Sequence, residues 1–331
     1  MMLDWRDALR YKNLRSFCRN GAQLVCCYLQ TETLNEKNKR NNRAVWLLMS
    51  ENTDWNNVLR NAIPADLAEE LAQAARRGGR SEKELLEHAL RQFLRSQKGG
   101  NALYMSAPVN ALLEGFYEGT VTIAQLKERG DFGLGTFNEL DGEMVVLDGA
   151  VYQVKADGNV YSVPDTTCSP FACVTFFNPI TYDDVDGGYD HQGFLDLLAN
   201  LTPSPNMLYA FRIDGVFDYV STRSVPPQDN YRPLVDVAQD QPTFEFHNTE
   251  GTLAGFYIPE FMGAINVPGY HLHFLTADRC RGGHLLRCHL RSARVGVQPV
   301  PRLDMDLPVT LDYLTADFSR DAREDLEKAE K

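Results

Sequence analysis

The chain has 331 residues, 44% hydrophobic and 24% charged, with 7 cysteines and a formal net charge of −12. That length fits about two domains, and the composition excludes a wholly disordered chain, a collagen-like repeat and a disulfide-stapled miniprotein. The charge is unevenly divided: residues 1–100 hold 17 Lys and Arg against 12 Asp and Glu, net +5, and the rest hold 16 against 33, net −17. The acidic majority argues against nucleic acid as its partner, because neutralising phosphate needs clustered Lys and Arg; the basic leader leaves that question open for itself.

Residues 1–50 mix Arg, Asn and Lys without a sustained period and end in the polar run 31–43, so a poorly ordered basic leader is expected there. The apolar piece 21–29 contains Gln23, lacks a cleavage pattern and is far shorter than the roughly 18 to 20 residues of a span. Neither a signal peptide nor a membrane span is expected, and the expected location is the cytoplasm. An odd number of cysteines without a C-x-x-C argues against both a disulfide framework and a thiolate zinc site.

Residues 51–100 read as a small helical segment and linker. Pro64-Ala65-Asp66 opens a helix with Leu67, Leu71 and Ala75 on one face, and Gly78-Gly79 stops it. Ser81 with Glu84 starts a second as a capping box, with Leu85, Leu86, Ala89, Phe93 and Leu94 as its stripe. With the short apolar piece near Trp55 in front, the pattern resembles the ribbon-helix-helix module of small DNA-binding and antitoxin proteins. A helical hairpin for packing or dimerisation fits the same residues, and the expected strand 56–61 offers a single basic residue, Arg60.

After Gly100 a helix carrying Leu112, Leu113 and Phe116 leads into short strand-like runs at 143–147, 151–154, 171–177, 208–213, 217–220, 244–246, 253–258, 271–275 and 285–297. Turn signals separate them, among them Leu147-Asp-Gly, Ile213-Asp-Gly, Pro268-Gly and Arg281-Gly-Gly. Helices are expected only at 192–200 and after Thr315. Residues 101–331 are therefore expected to be a β-rich α+β domain in which hairpins outnumber crossovers.

Four of the seven histidines fall within residues 271–289. His271 and His273 are two apart on an expected strand, so both imidazoles face one way. After a turn at 277–283, His284 opens the next strand beside them. Three neutral imidazoles on a hairpin match a zinc site with an open fourth position, the arrangement of a catalytic metal. His289, five residues on, faces the other side by alternation and is excluded; His88, His191 and His247 are isolated. The acidic run 183–190 lacks the glutamate of a calcium loop and reads as solvated. No G-x-G-x-x-G, P-loop or G-x-S-x-G occurs, and Cys168 or Cys173 as nucleophile would need a partner histidine.

These histidines lie in a set of motifs that together are highly specific: Gly115-Phe-Tyr-Glu-Gly, Gly130-Asp-Phe-Gly-Leu-Gly-Thr-Phe-Asn-Glu-Leu-Asp-Gly-Glu143, Tyr209-Ala-Phe-Arg-Ile-Asp-Gly215, Thr222-Arg223, Gly269-Tyr-His-Leu-His-Phe274 and Gly282-Gly-His284. Over about 103–330 the chain resembles the α-acetolactate decarboxylases. The resemblance implies a two-lobed, β-rich α+β fold with mixed and antiparallel sheets and few helices, the first hundred residues being an extension. It implies loss of CO2 from (2S)-2-hydroxy-2-methyl-3-oxobutanoate to give (R)-acetoin, in the route from pyruvate to acetoin and butanediol. It further implies Zn2+ on His271, His273 and His284, essential roles for Glu143 and Arg223, and a tail glutamate at Glu330, with Glu327 one helical turn away. Thr136 is expected to line the pocket, Arg212 to pair with Asp214, and the protein to be a homodimer.

Two other readings use the same residues. A cupin-type oxygenase also carries His-x-His on a strand, but its pattern wants a glutamate where Asp278 stands and a third histidine later than His284. A DNA-binding regulator would act through residues 55–97, with the large domain as a metabolite sensor.

Overall fold

Asp148 and Gly149 both adopt left-handed backbone, at φ 54° and 79°, the two-residue turn whose twist suits a hairpin. Short hairpins recur among the described residues. The structure, a computed structural model, describes residues 64–78, 81–83, 85–86, 101–229, 232–238, 241–318 and 323–330. Among them the strands are, in chain order, β1 (Ala102–Met105), β2 (Val121–Thr122), β3 (Phe132–Thr136), β4 (Glu143–Leu147), β5 (Ala150–Val154), β6 (Val160–Ser162), β7 (Cys168–Ser169), β8 (Ala172–Thr175), β9 (Thr181–Tyr189), β10 (Leu208–Arg223), β11 (Thr243–Ile258), β12 (Gly269–Thr276), β13 (Gly282–Val300) and β14 (Arg302–Met305).

Two sheets carry the domain. The first has the order β14-β1-β8-β3-β4-β5-β6 and is antiparallel except where β14 runs parallel to β1. The second, β10-β11-β12-β13-β9, curls on itself until β10 pairs with both β11 and β13. Inside the curl, Phe211, Phe217, Leu253, Leu272 and Phe274 pack with Phe194 and Leu198 of the helix His191–Asn200. A second core fills the space between the sheets, where Leu134, Val145 and Leu147 meet Ala254, Phe256 and Leu275. Phe132 of the first sheet meets the Phe256 ring of the second edge to face at 6.2 Å. Each large side chain so buried contributes about 1.5–3 kcal/mol. The two-lobed, β-rich α+β expectation is met.

Several boundaries differ from expectation for identifiable reasons. Ile213-Asp-Gly makes no turn: β10 runs straight through it, Thr252 donates to Asp214 at 2.6 Å, and a Cβ on Gly215 would stand 2.6 Å from the Ser292 carbonyl oxygen. Glycine serves close strand approach there. The runs 244–246 and 253–258 likewise join into the single strand β11. The acidic run is the edge strand β9, paired along β13 with Asp184 opposite Arg294; charge on an edge discourages further strand addition. Asp190 instead caps the following helix by accepting from the Gly193 amide at 2.8 Å. A helix not foreseen, Ile123–Arg129, starts with a Thr122/Gln125 capping box.

The described residues fall into two units divided at Phe93 and Leu94. In the first, the helix Ala65–Gly78 forms where expected; Ala75 is buried, while Leu67 is exposed. The second helix is described only in part, with the Leu85 amide donating to the Ser81 carbonyl. The leader 1–50, the strand at 56–61 and Glu84 of the capping box lie outside the described residues. No helix among the described residues is long and apolar enough to cross a membrane.

Candidate active site

The strand period does the first part of the work. On β12, Leu272 and Phe274 point into the curl, which sends His271 and His273 to the opposite face, toward the first sheet. Register then pairs His273 with His284 at the start of β13. The three rings are 4.9–5.3 Å apart between centroids, all three residues are buried, and their ligand atoms lie within 4.8 Å of one another.

Arg223, the last residue of β10, is the cross-strand partner of His284 on one side and of Thr243 on the other. The approach is close: Gly283 sits at φ 140°, and a Cβ there would stand 2.5 Å from the Arg223 carbonyl oxygen. Across the interface, Glu143 opens β4 directly opposite Thr136, which closes β3. One cavity is thus lined by Thr136, Glu143, Arg223 and the three histidines, with Leu112, Leu140, Phe171, Val225 and Leu234 as its apolar wall.

His273 joins the halves. Its Nδ1 donates to the Met144 carbonyl oxygen at 2.8 Å, and its Nε2 stands 3.5 Å from Glu143 Oε2. Because a carbonyl only accepts, Nδ1 carries a proton, which in the neutral imidazole leaves the lone pair on Nε2. His271 is held to about 3 by burial first and by the nearby Arg223 charge second, so it is neutral at physiological pH. A neutral His271, a His273 oriented by a backbone carbonyl with a carboxylate beside it, and His284 within reach of both fit a tetrahedral ion that keeps one position open.

The other expected residues fall as follows. Thr136 is buried in the cavity wall, its hydroxyl donating to the Gly142 carbonyl at 2.7 Å, which leaves its lone pairs for the cavity. Helix Arg323–Glu330 docks through Leu326 into the core cluster that includes Val225 and Leu234, but the side chains of Glu327 and Glu330 lie outside the described residues. Arg212 pairs with Asp214 and Asp148, both at 2.8 Å, in a structural network. Asp278 accepts from Thr276 in the exposed β12–β13 turn, apart from the histidines, which removes the cupin pattern. Burial pushes the Cys173 thiol up to about 12, so no thiolate nucleophile forms there.

His289 requires a correction of reason. The register steps from Thr222 opposite Leu285 to Ser221 opposite Arg287, so Leu286 is an extra residue. The bulge inverts the alternation: Leu285 and Cys288 both pack into the curl. His289 therefore shares the face of His284, yet it is exposed and lies against Tyr219 rather than the cluster. The apolar wall was not anticipated, since its residues come from separate segments; Leu140 reaches it through two successive left-handed residues, Glu139 at φ 61° and Leu140 at φ 57°.

Comparison with known proteins shows the family. A family model for alpha-acetolactate decarboxylase matches residues 103–320. The alpha-acetolactate decarboxylase of Methanosarcina mazei is 41% identical over 237 residues, covering 71% of this chain and 82% of the relative. That of Klebsiella aerogenes is 44% identical over 219 residues, covering 66% and 84%. The crystal structure of alpha-acetolactate decarboxylase from Bacillus subtilis strain 168 superposes with a TM-score of 0.68 at 36% identity, covering 69% of this chain and 99% of that one. The chain belongs to the alpha-acetolactate decarboxylase family.

Proposed function

We propose that residues 101–331 are a catalytic domain that converts (2S)-2-acetolactate to (R)-acetoin and CO2, using Zn2+ held by His271, His273 and His284, on the route from pyruvate to acetoin and 2,3-butanediol. The observation that carries this reading is the buried three-histidine cluster sharing one cavity with Glu143 and Arg223. The reading brings with it a homodimer in the cytoplasm.

When bound, the ion supplies a Lewis acid for the negative charge that develops on the substrate's carbonyl oxygen as CO2 departs. The chain's own residues do the rest. Arg223 presents a planar guanidinium fork matched to a carboxylate; it holds the group that leaves as CO2. The apolar wall of Leu112, Leu140, Phe171, Val225 and Leu234 accepts the methyl groups and excludes water. Thr136 offers only acceptor lone pairs, suited to the substrate hydroxyl. Glu143, beside His273, delivers to carbon the one proton that replaces the departing CO2 and is reprotonated from solvent, while the substrate keeps its hydroxyl proton on Thr136. Glu330 is the proposed second carboxylate of the relay.

The test is acetoin release from racemic acetolactate by purified protein, before and after chelation, with metal content measured on the same samples. Release that chelator abolishes and Zn2+ restores is the expected result. Folded, zinc-loaded protein that releases no acetoin would overturn the reading.

A further inference from the structure

Arg223 is buried at the end of β10, and its Nη1 donates to Oε1 of Gln241. The same amide is tied from its other end, where Nε2 donates to the Ala238 carbonyl at 2.7 Å. An amide nitrogen only donates and an amide oxygen only accepts, so the Ala238 contact decides which end of Gln241 faces the guanidinium. The backbone around it is equally constrained. Pro242 follows, with its own φ restricted by the ring, and its carbonyl accepts from the Ser224 amide at 3.2 Å. Ser224, next to Arg223, donates through Oγ to the Val154 carbonyl of β5 at 2.7 Å. Gln241 therefore stands behind Arg223, outside the cavity wall, on backbone anchored at both sheets.

We propose that Gln241 is a positioning residue for the decarboxylation: it locks the Arg223 fork in the orientation that receives the substrate carboxylate, and does so with a neutral acceptor. This rests on the carboxylate-binding role proposed for Arg223. Two physical consequences follow. An arginine fixed before the substrate arrives loses less side-chain freedom on binding. A neutral amide also adds no negative charge beside the guanidinium, whereas a glutamate at the same place would compete with the substrate for it.

The experiment uses full-length, zinc-loaded protein with Gln241→Met, which keeps length and removes the acceptor, and Gln241→Glu, which keeps an acceptor and adds charge. Both are expected to raise KM for acetolactate by about tenfold or more, Gln241→Met through the loss of one hydrogen bond to a charged group and Gln241→Glu through competition of its carboxylate with that of the substrate. The change in kcat is expected to be smaller and metal content to stay as in wild type. Inhibition by 2-hydroxy-2-methylpropanoate, which carries the carboxylate, should weaken in parallel, while inhibition by acetoin, which lacks it, should not move. In an Arg223→Met background, Gln241→Met should add nothing. A wild-type KM in Gln241→Met overturns the proposal, as does equal weakening of both inhibitors or loss of metal, which would mark a merely structural residue. If Arg223→Met itself keeps a wild-type KM, the role of Arg223 fails with it; if Arg223→Met is impaired and Gln241→Met is not, only the positioning role fails.

Discussion

His273 is bonded to the residue next to the carboxylate it faces: Nδ1 donates to the Met144 carbonyl at 2.8 Å while Nε2 lies 3.5 Å from Glu143 Oε2. One end of β4 thus holds Nδ1 in its donor role and brings a carboxylate to the ring's other nitrogen. The second sheet supplies the three-histidine face and the first supplies Glu143, so the candidate site exists only where the two lobes meet.

Glu143→Gln separates these two contributions. The amide keeps the size and leaves the Met144 carbonyl where it is, but removes the carboxyl group proposed to handle the proton. We expect kcat to fall by about 10²- to 10⁴-fold with bound metal retained. Parallel loss of metal and activity, read by elemental analysis and acetoin release, would instead make Glu143 a part of the metal site's integrity.

His271→Ala removes one of three nitrogen donors that lie within 4.8 Å of one another. It is expected to lose bound metal and at least about 100-fold of activity, a loss at the upper end of that seen for residues that merely support a ligand. His289→Ala is expected to keep both, because His289 is exposed against Tyr219. Equal loss in the two variants would sink the assignment.

What the sequence revealed of this site follows from how local each relation is. His271 and His273 are readable because strand alternation is a two-residue rule, and His284 because a hairpin returns the chain at once. Glu143 and Arg223 lie on other strands, so nothing in spacing joins them to the histidines; only the family motifs did. The Asp-Gly pair shows the limit plainly. At Asp148-Gly149 it turns, and at Asp214-Gly215 it runs straight because Ser292 and Ala293 pack where a turn would open. Leu286 shows another, since a single bulged residue reverses alternation without any mark in composition. The apolar wall draws on five separated segments and is a product of tertiary packing alone.

Metal-free protein should lose stability in acid through His271. Its folded value is about 3 against an ordinary value of 6.5. Between those two the unfolded chain has taken up a proton that the folded chain refuses, so stability is full above about 6.5 and falls as pH drops toward about 3. Below that both states are protonated and this group adds no further slope. Urea unfolding of chelator-treated protein between about pH 7.5 and about pH 5 should show a steeper decline in wild type than in His271→Gln. Identical slopes would mean that His271 is not held neutral by its surroundings.

Gly283→Ala should damage the site through the backbone. Gly283 sits at φ 140°, and an added Cβ would stand 2.5 Å from the Arg223 carbonyl oxygen and 3.0 Å from the Thr222 side chain. Relief requires β10 to move away from β13 at the pair Arg223 and His284, which draws the guanidinium away from the histidines. Gly187 is the matched control: it has the same φ of 140°, with nothing within 4 Å of an added Cβ. Gly187→Ala therefore carries only the conformational penalty, about 1 kcal/mol or somewhat more, with normal activity. Gly283→Ala adds the clash and should cost about 2 kcal/mol or more, with KM for acetolactate raised in the molecules that remain folded. Denaturant unfolding and steady-state kinetics on the two variants decide the matter, and equal behaviour would show that the strand approach at Gly283 has no bearing on where Arg223 lies.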